Sequence, residues 1–276
     1  IIDCQAAGIS GDMMVSALVD LGADASKVIE AMKSVHVDGY GVEDVILKEV
    51  HRGGFLAKVV NVEAEEVAME ITGLQLVKSV SECAENLKLS REAREFAVAS
   101  IKTLIEAEAR VHGESFENIH LHETGSVDTV ADIIGVAVAL EDLKIFNQAK
   151  VYSTPVAVGG GLFRFSHGVS SSPAPATLEI LRAKNFPMIG GPAELELATP
   201  TGVSMLVNLV HEVRSFYPSL KPLAVGYGAG AREVAGIPNI LRIVLGESLD
   251  FGLLKDEVYV LETNLDDVSG EVIGST

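Results

Sequence analysis

The chain has 276 residues, with 39 acidic against 21 basic side chains and a formal charge of −18, a balance that disfavours nucleic-acid binding and suits cations better. A hydrophobic share of 48% excludes disorder, and no uncharged apolar run reaches the roughly 18 residues of a membrane span. Cys4 and Cys83 form no CxxC pair, so neither a disulfide framework nor a thiolate zinc knuckle is supported, and a reducing cytoplasm fits best.

Ile1 to Cys4 reads as a short buried strand, opening without a basic n-region or methionine, so no secretory signal is visible and the natural start is expected slightly upstream. AAGISGD then breaks into a helix from about Met13 to Leu21, with Ser10 or Asp12 as cap. A short helix near Ser26 to Ser34 precedes two strands, Val42 to Val50 and Phe55 to Glu63, joined as a hairpin around Arg52-Gly53-Gly54. From Ser90 to His112 apolar residues recur at helical spacing. The next helix, Val127 to Leu143, is apolar on nearly every face and should run through the core, which makes its carboxylates expensive. Two more helices are predicted to begin at Ser172-Pro173 and Thr199-Pro200, each pairing a capping hydroxyl with proline in the first turn. Strands are expected at Val151 to Val158, Leu223 to Val225, Ile240 to Leu245 and Val258 to Thr263. Without regular β-α-β alternation, the class is α+β, with mixed sheets and packed helices.

The strongest site signal is His120-Leu121-His122-Glu123-Thr124-Gly125-Ser126-Val127-Asp128, followed by Asp132. On an extended segment, period two puts both imidazoles on one face, and Gly125 turns the chain into the helix bearing Asp128 and Asp132 at i,i+4. Imidazole and carboxylate ligands suit nickel, zinc, cobalt, iron or manganese; the plain alternative is a helix-dipole acid beside ordinary polar histidines. GISGD fails the nucleophile-elbow pattern at Asp12, but its glycine turn at a helix start offers backbone N–H groups to an anion, with Asp3 and Asp12 near a cation, so Ser10, Gly11 and Asp12 are candidate substrate-binding residues. A simple capped turn competes with that reading. Arg164 and His167, close before the Ser172 helix, are candidates to hold a phosphate or carboxylate. Gly226 to Gly230 leads into a strand, not a helix, so these glycines point to turns or close backbone approach rather than a dinucleotide. Cys4 reads as packing rather than a nucleophile, with a role at the site left open. Glu262-Thr263-Asn264-Leu265-Asp266-Asp267 gathers oxygen ligands suited to magnesium or manganese, Asp266 and Asp267 foremost, with nine residues following.

Together, DCQAAGISGDM at 3 to 13, HLHETGSVDTVADIIG at 120 to 135, SHG with SPAPATLEIL at 166 to 181, ELATPTG at 196 to 202, GYGAGARE with PNILRIVLGE at 226 to 247, and ETNLDD at 262 to 267 resemble the LarC family of nickel insertion proteins in order and over almost the whole chain. The resemblance implies a nickel chelatase that acts on pyridinium-3,5-bisthiocarboxylic acid mononucleotide, using CTP with manganese or magnesium, and completes the nickel-pincer cofactor of lactate racemase. On that basis His120, His122 and Glu123 are expected to deliver nickel, with Asp128, Asp132 and Glu123 in catalytic roles as ligand, base or orienter. Residues 1–254 are expected to form the nickel and substrate domain, and 255–276 the opening strand of a C-terminal nucleotide module that is otherwise absent. Lactate racemase or a related enzyme is the expected recipient, and a homo-oligomer is left open. The chain departs from the family at Gln5-Ala6-Ala7 and in having no histidine cluster between Glu66 and Thr72. Two rivals stay open: a nickel chaperone without chemistry, and a metal-dependent hydrolase using the histidine pair to activate water.

Overall fold

The computed structural model describes residues 1–64, 71–121, 127–165, 168–234 and 236–249, with the side chains of 163–165 outside that description. In chain order its elements are β1 (Ile2–Asp3), α1 (Gly11–Leu21), α2 (Ala25–Lys33), β2 (His36–Val37), β3 (Tyr40–Arg52), β4 (Phe55–Ala64), β5 (Ile71–Thr72), α3 (Gly73–Asn86), α4 (Arg91–His112), β6 (His120–Leu121) and α5 (Val127–Asp142). Then follow α6 (Ile145–Gln148), β7 (Tyr152–Ser153), β8 (Val156–Ala157), β9 (Leu162–Phe165), β10 (Gly168–Ser171), α7 (Pro175–Ala183), β11 (Met188–Ile189), α8 (Pro200–Leu209), β12 (Glu212–Val213), β13 (Leu220–Ala229) and β14 (Ile240–Ser248). An eight-stranded mixed sheet in the order β12-β7-β1-β14-β13-β4-β3-β2 carries the fold, with β1 parallel to β7 and antiparallel to β14. The class is α+β, as expected, and the sheet is open and mixed, unlike the closed eightfold β/α barrel of histidine-pair hydrolases.

Helices α1, α2 and α5 lie against this sheet, and α4 packs on α5 with α3, α7 and α8 around it. Their shared core includes Met14, Leu18, Ile101, Leu104, Ile133 and Ile134, all essentially without solvent contact. The hairpin is tighter than expected: Arg52 pairs with Phe55 across Gly53 and Gly54, whose left-handed φ of 56° and 86° suits a two-residue turn between twisted strands. Glycine also explains GYG in β13. A Cβ on Gly226 would stand 2.1 Å from the Ala17 carbonyl oxygen, and one on Gly228 2.0 Å from that of Met13, so α1 rests directly on the strand backbone. These glycines serve close approach, as expected.

Three sequence expectations need correction, and one helix was not foreseen. α1 has Ser10 at its cap position, but the hydroxyl donates to Asp12 Oδ1 instead of capping, and the helix begins at Gly11. α7 begins at Pro175; the Ser172 hydroxyl donates to the Val158 carbonyl at 2.8 Å, holding a turn ahead of the helix. The strand expected at Val151 to Val158 is interrupted at Thr154-Pro155, because proline has no N–H for a ladder, and its two halves join different sheets. α3 was not anticipated, although Thr72 and Gln75 form a full capping box at its start. The Val258 to Thr263 strand and the proposed boundary at 254/255 lie outside the described residues.

α8 starts at Pro200, as expected, with the Thr199 hydroxyl accepting from the Gly202 N–H at 3.2 Å. Thr199→Ala is therefore expected to cost about 1 kcal/mol in chemical denaturation. Ser10→Ala should leave α1 almost unaffected, since Ser10 caps nothing; equal losses in the two variants would contradict this assignment.

Candidate functional site

The loop between β1 and α1 is clamped from two sides. Ile9 donates to the Leu197 carbonyl, and the Thr199 N–H donates to the Ile9 carbonyl, each at 3.0 Å, so the start of α8 is fixed beside the start of α1. Gly202, in the first turn of α8, sits so close that a Cβ would lie 2.7 Å from both Ile9 O and Ser10 Cα. On the other side Gly11 faces α5: a Cβ there would stand 2.2 Å from Asp132 Oδ2. The small residues of this turn thus let a carboxylate press against the backbone at the helix start.

Asp12, in the first turn of α1, accepts from the Ser10 hydroxyl and from the Met13 N–H at 2.9 Å. Burial pushes its carboxyl up, opposed by those donors and by the Ala231 backbone. Asp132 is pushed well up by burial first, then by the charges of Asp12 and Asp128. The residue keeps an edge toward solvent, but its Oδ1 is sealed and has no hydrogen-bond partner among the described residues. Asp128 stands one helical turn earlier, exposed, and accepts the Thr129 N–H at 3.0 Å. No Lys or Arg pairs with any of the three among the described residues. The result is a carboxylate cluster with negative charge in excess and one unpartnered inner oxygen, able to attract a cation or take a proton.

The structure therefore brings Ser10, Gly11, Asp12 and Asp132 together, with Asp128 near enough to repel Asp132. His120 lies on β6, exposed, opposite Thr72 of β5. His122, Glu123, His167, Asp266 and Asp267 lie outside the described residues. The Arg164 backbone is in β9 opposite Val169, while its side chain is outside the description. Among the described residues, no three His, Cys, Asp or Glu side chains form a ready metal shell. Asp3, read as a partner of Asp12 for a cation, is already engaged: Arg242 and the Tyr217 hydroxyl both donate to its Oδ2. The Cys4 thiol is buried and pushed up to about 11 by that burial, which fits packing rather than nucleophilic use. Sequence reasoning missed the contribution of Ala231; the GAGARE run that places it was visible only as a glycine-rich turn.

Comparisons with known proteins place the whole chain. Residues 1–276 match the family described as nickel insertion protein. The chain belongs to that family. A relative from Methanothermobacter thermautotrophicus, named as a nickel insertion protein, is 45% identical over 277 residues, covering 100% of this chain and 64% of the relative. One from Methanosarcina barkeri, named likewise, is 42% identical over 272 residues, covering 97% of this chain and 64% of the relative. A Geobacillus kaustophilus protein named pyridinium-3,5-bisthiocarboxylic acid mononucleotide nickel insertion protein is 36% identical over 286 residues, covering 99% of this chain and 67% of its own length. The chain thus spans about two thirds of these relatives. No solved structure matches it. Among the described residues no helix is long and apolar enough to cross a membrane.

Proposed function

We propose that the protein inserts nickel into pyridinium-3,5-bisthiocarboxylic acid mononucleotide, yielding the nickel-pincer cofactor used by lactate racemase or a related enzyme. The observation that carries this reading is the sealed Oδ1 of Asp132, without a partner among the described residues, beside Asp12 and Asp128 in a chain of the nickel insertion family. Nickel is the cargo. It must exchange its ligands for two sulfurs and one ring carbon of the mononucleotide, and the carbon–nickel bond forms only as that carbon releases its proton. Asp132 is the proposed acceptor: a carboxyl raised by burial holds a proton better than an exposed one, which suits a base. Asp12, fixed by Ser10 and the Met13 amide, keeps negative charge beside it, and exposed Asp128 draws the cation inward. His120, His122 and Glu123 are the proposed delivery ligands, and Ser10 to Asp12 with Arg164 and His167 the proposed substrate contacts. CTP with manganese or magnesium is proposed as cofactor of the whole protein, with Asp266 and Asp267, whose oxygens suit a hard divalent ion, as its candidate ligands. A cytoplasmic location is part of the same proposal.

Replacing His120 and His122 together with alanine is expected to weaken nickel binding at least about tenfold, since second-sphere changes alone cost 10–100-fold. The melting temperature should stay near the parent value, because His120 is exposed. Calorimetric nickel titration beside a thermal melt checks both. Parent-like affinity in the double variant would remove the histidines from the delivery path.

A further inference from the structure

Outside the carboxylate cluster, Arg52 at the end of β3 stands apart chemically. Its side chain is only 15% exposed, yet its Nε is sealed without a hydrogen-bond partner among the described residues. Nη1 donates only at long range, 3.4 Å, to the His51 carbonyl and to Glu233, whose side chain is 82% exposed. A guanidinium desolvated to this degree normally meets a carboxylate or phosphate in bidentate geometry, and this one does not. It borders a cavity of about 340 Å³ walled by Gly53, Glu233, Gly236, Pro238 and Asn239. The wall is fixed. Gly53 presses so closely on Pro238 that a Cβ would lie 2.9 Å from the proline Cβ, and Asn239 donates to the Arg232 carbonyl at 2.9 Å while its own carbonyl accepts from Gly230.

The same loop reaches the carboxylate cluster, because its Ala231 backbone bears on Asp12. One residue separates Ala231 from Glu233, a span of at most about 7 Å. Arg232 between them is exposed and has no ion pair among the described residues. Arg52, through Glu233, and Arg232 thus both belong to the surroundings of the loop whose Ala231 backbone bears on Asp12, on a chain of net charge −18.

We propose that Arg52, assisted by Arg232, forms the phosphate subsite for the mononucleotide and so orients its ring toward Asp132, an inference that rests on the substrate reading above. Glu233 is the displaceable occupant, swinging into solvent as the phosphate arrives. The ligand chemistry is a phosphate monoester, which CTP shares in part, so the test must separate the two.

Thermal melts of the parent, Arg52→Gln, Arg52→Lys and Glu233→Gln proteins would be followed against inorganic phosphate, nicotinamide mononucleotide, nicotinamide riboside and CTP, since a ligand that binds the folded state raises the melting temperature. Phosphate and the mononucleotide should stabilise the parent, and the riboside should not. Arg52→Gln should raise the half-saturating concentration tenfold or more, with Arg52→Lys between. Glu233→Gln, at an exposed position, should lower it severalfold, and it decides the matter if Arg52→Gln folds poorly. Parent-like responses in the Arg52→Gln and Glu233→Gln proteins would overturn the subsite while leaving mononucleotide binding, and the substrate reading, in place. Arg52-dependent binding of phosphate without the mononucleotide would keep the anion site and defeat the substrate reading. A clear preference for CTP would overturn the assignment to the mononucleotide.

Discussion

Asp132→Asn is expected to stabilise the metal-free protein while lowering nickel insertion by about 10²- to 10⁴-fold, the usual worth of a positioned acid or base. The stability half follows from proton linkage. Asp132 has its carboxyl raised in the folded state, so between the ordinary value of 3.8 and that raised value the folded protein binds more protons than the unfolded chain. Its contribution to stability therefore falls as pH rises through this window, and Asp12 acts in the same direction. Above the window the charged form is penalised, and asparagine removes that penalty. A gain of about 1 kcal/mol, roughly 2–4 °C for a domain of this size, is expected at mildly alkaline pH, shrinking toward pH 4. Melts over a pH series and mass spectrometry of the nickel-bearing product give the two readouts. Asp128→Asn, at an exposed position in the first turn of α5, should cost a few tenths of a kcal/mol as a lost helix-dipole acid and relieve part of the repulsion that raises Asp132. A destabilised Asp132→Asn protein with parent-like insertion would remove Asp132 from the chemistry.

Gly228→Ala carries the largest expected loss of stability. The added methyl carbon would meet the Met13 carbonyl oxygen at 2.0 Å and the Ala17 nitrogen at 2.6 Å, both backbone atoms, so no side chain can turn away. Either α1 lifts from β13 or the strand bends, at about 3 kcal/mol. Because α1 carries Gly11 and Asp12, its displacement also separates them from Asp132, and insertion should fall with stability. Gly54→Ala is an instructive contrast: open space surrounds that position, and only the left-handed φ of 86° opposes the change. Urea denaturation would rank the pair, and a Gly228→Ala protein as stable as the parent would show that the helix can move off the strand freely.

The main elements were legible because their signals are local. The all-round apolar character of α5 announced a buried helix, and with it the cost of Asp132; the proline and hydroxyl at Thr199-Pro200 announced α8. Ser172-Pro173 has the same chemistry but makes a turn, because its hydroxyl finds the Val158 carbonyl, a partner the local sequence does not reveal. α3 was missed because polar residues are scattered among Leu76, Val80, Cys83 and Ala84, leaving Thr72 and Gln75 as its clearest sign. The candidate site was legible residue by residue but not as a contact: nothing in GISGD says that Gly11 would meet Asp132. Arg52 and Glu233, 181 positions apart, meet only through the sheet, so their pocket could not have been read from either segment.

The placement of β1 also bears on the order in which the sheet is completed. Ile2 pairs with Ile243 and Asp3 with Arg242, so β1 is locked into the sheet by a strand that follows it 239 residues later in the chain. Closing so long a loop precedes any reward from the contact and slows folding. On the ribosome, β1 can pair with β7 first, and its other edge waits for β14 to emerge. The strand leading into the turn of Ser10 and Asp12 is thus held from one side before it is held from both.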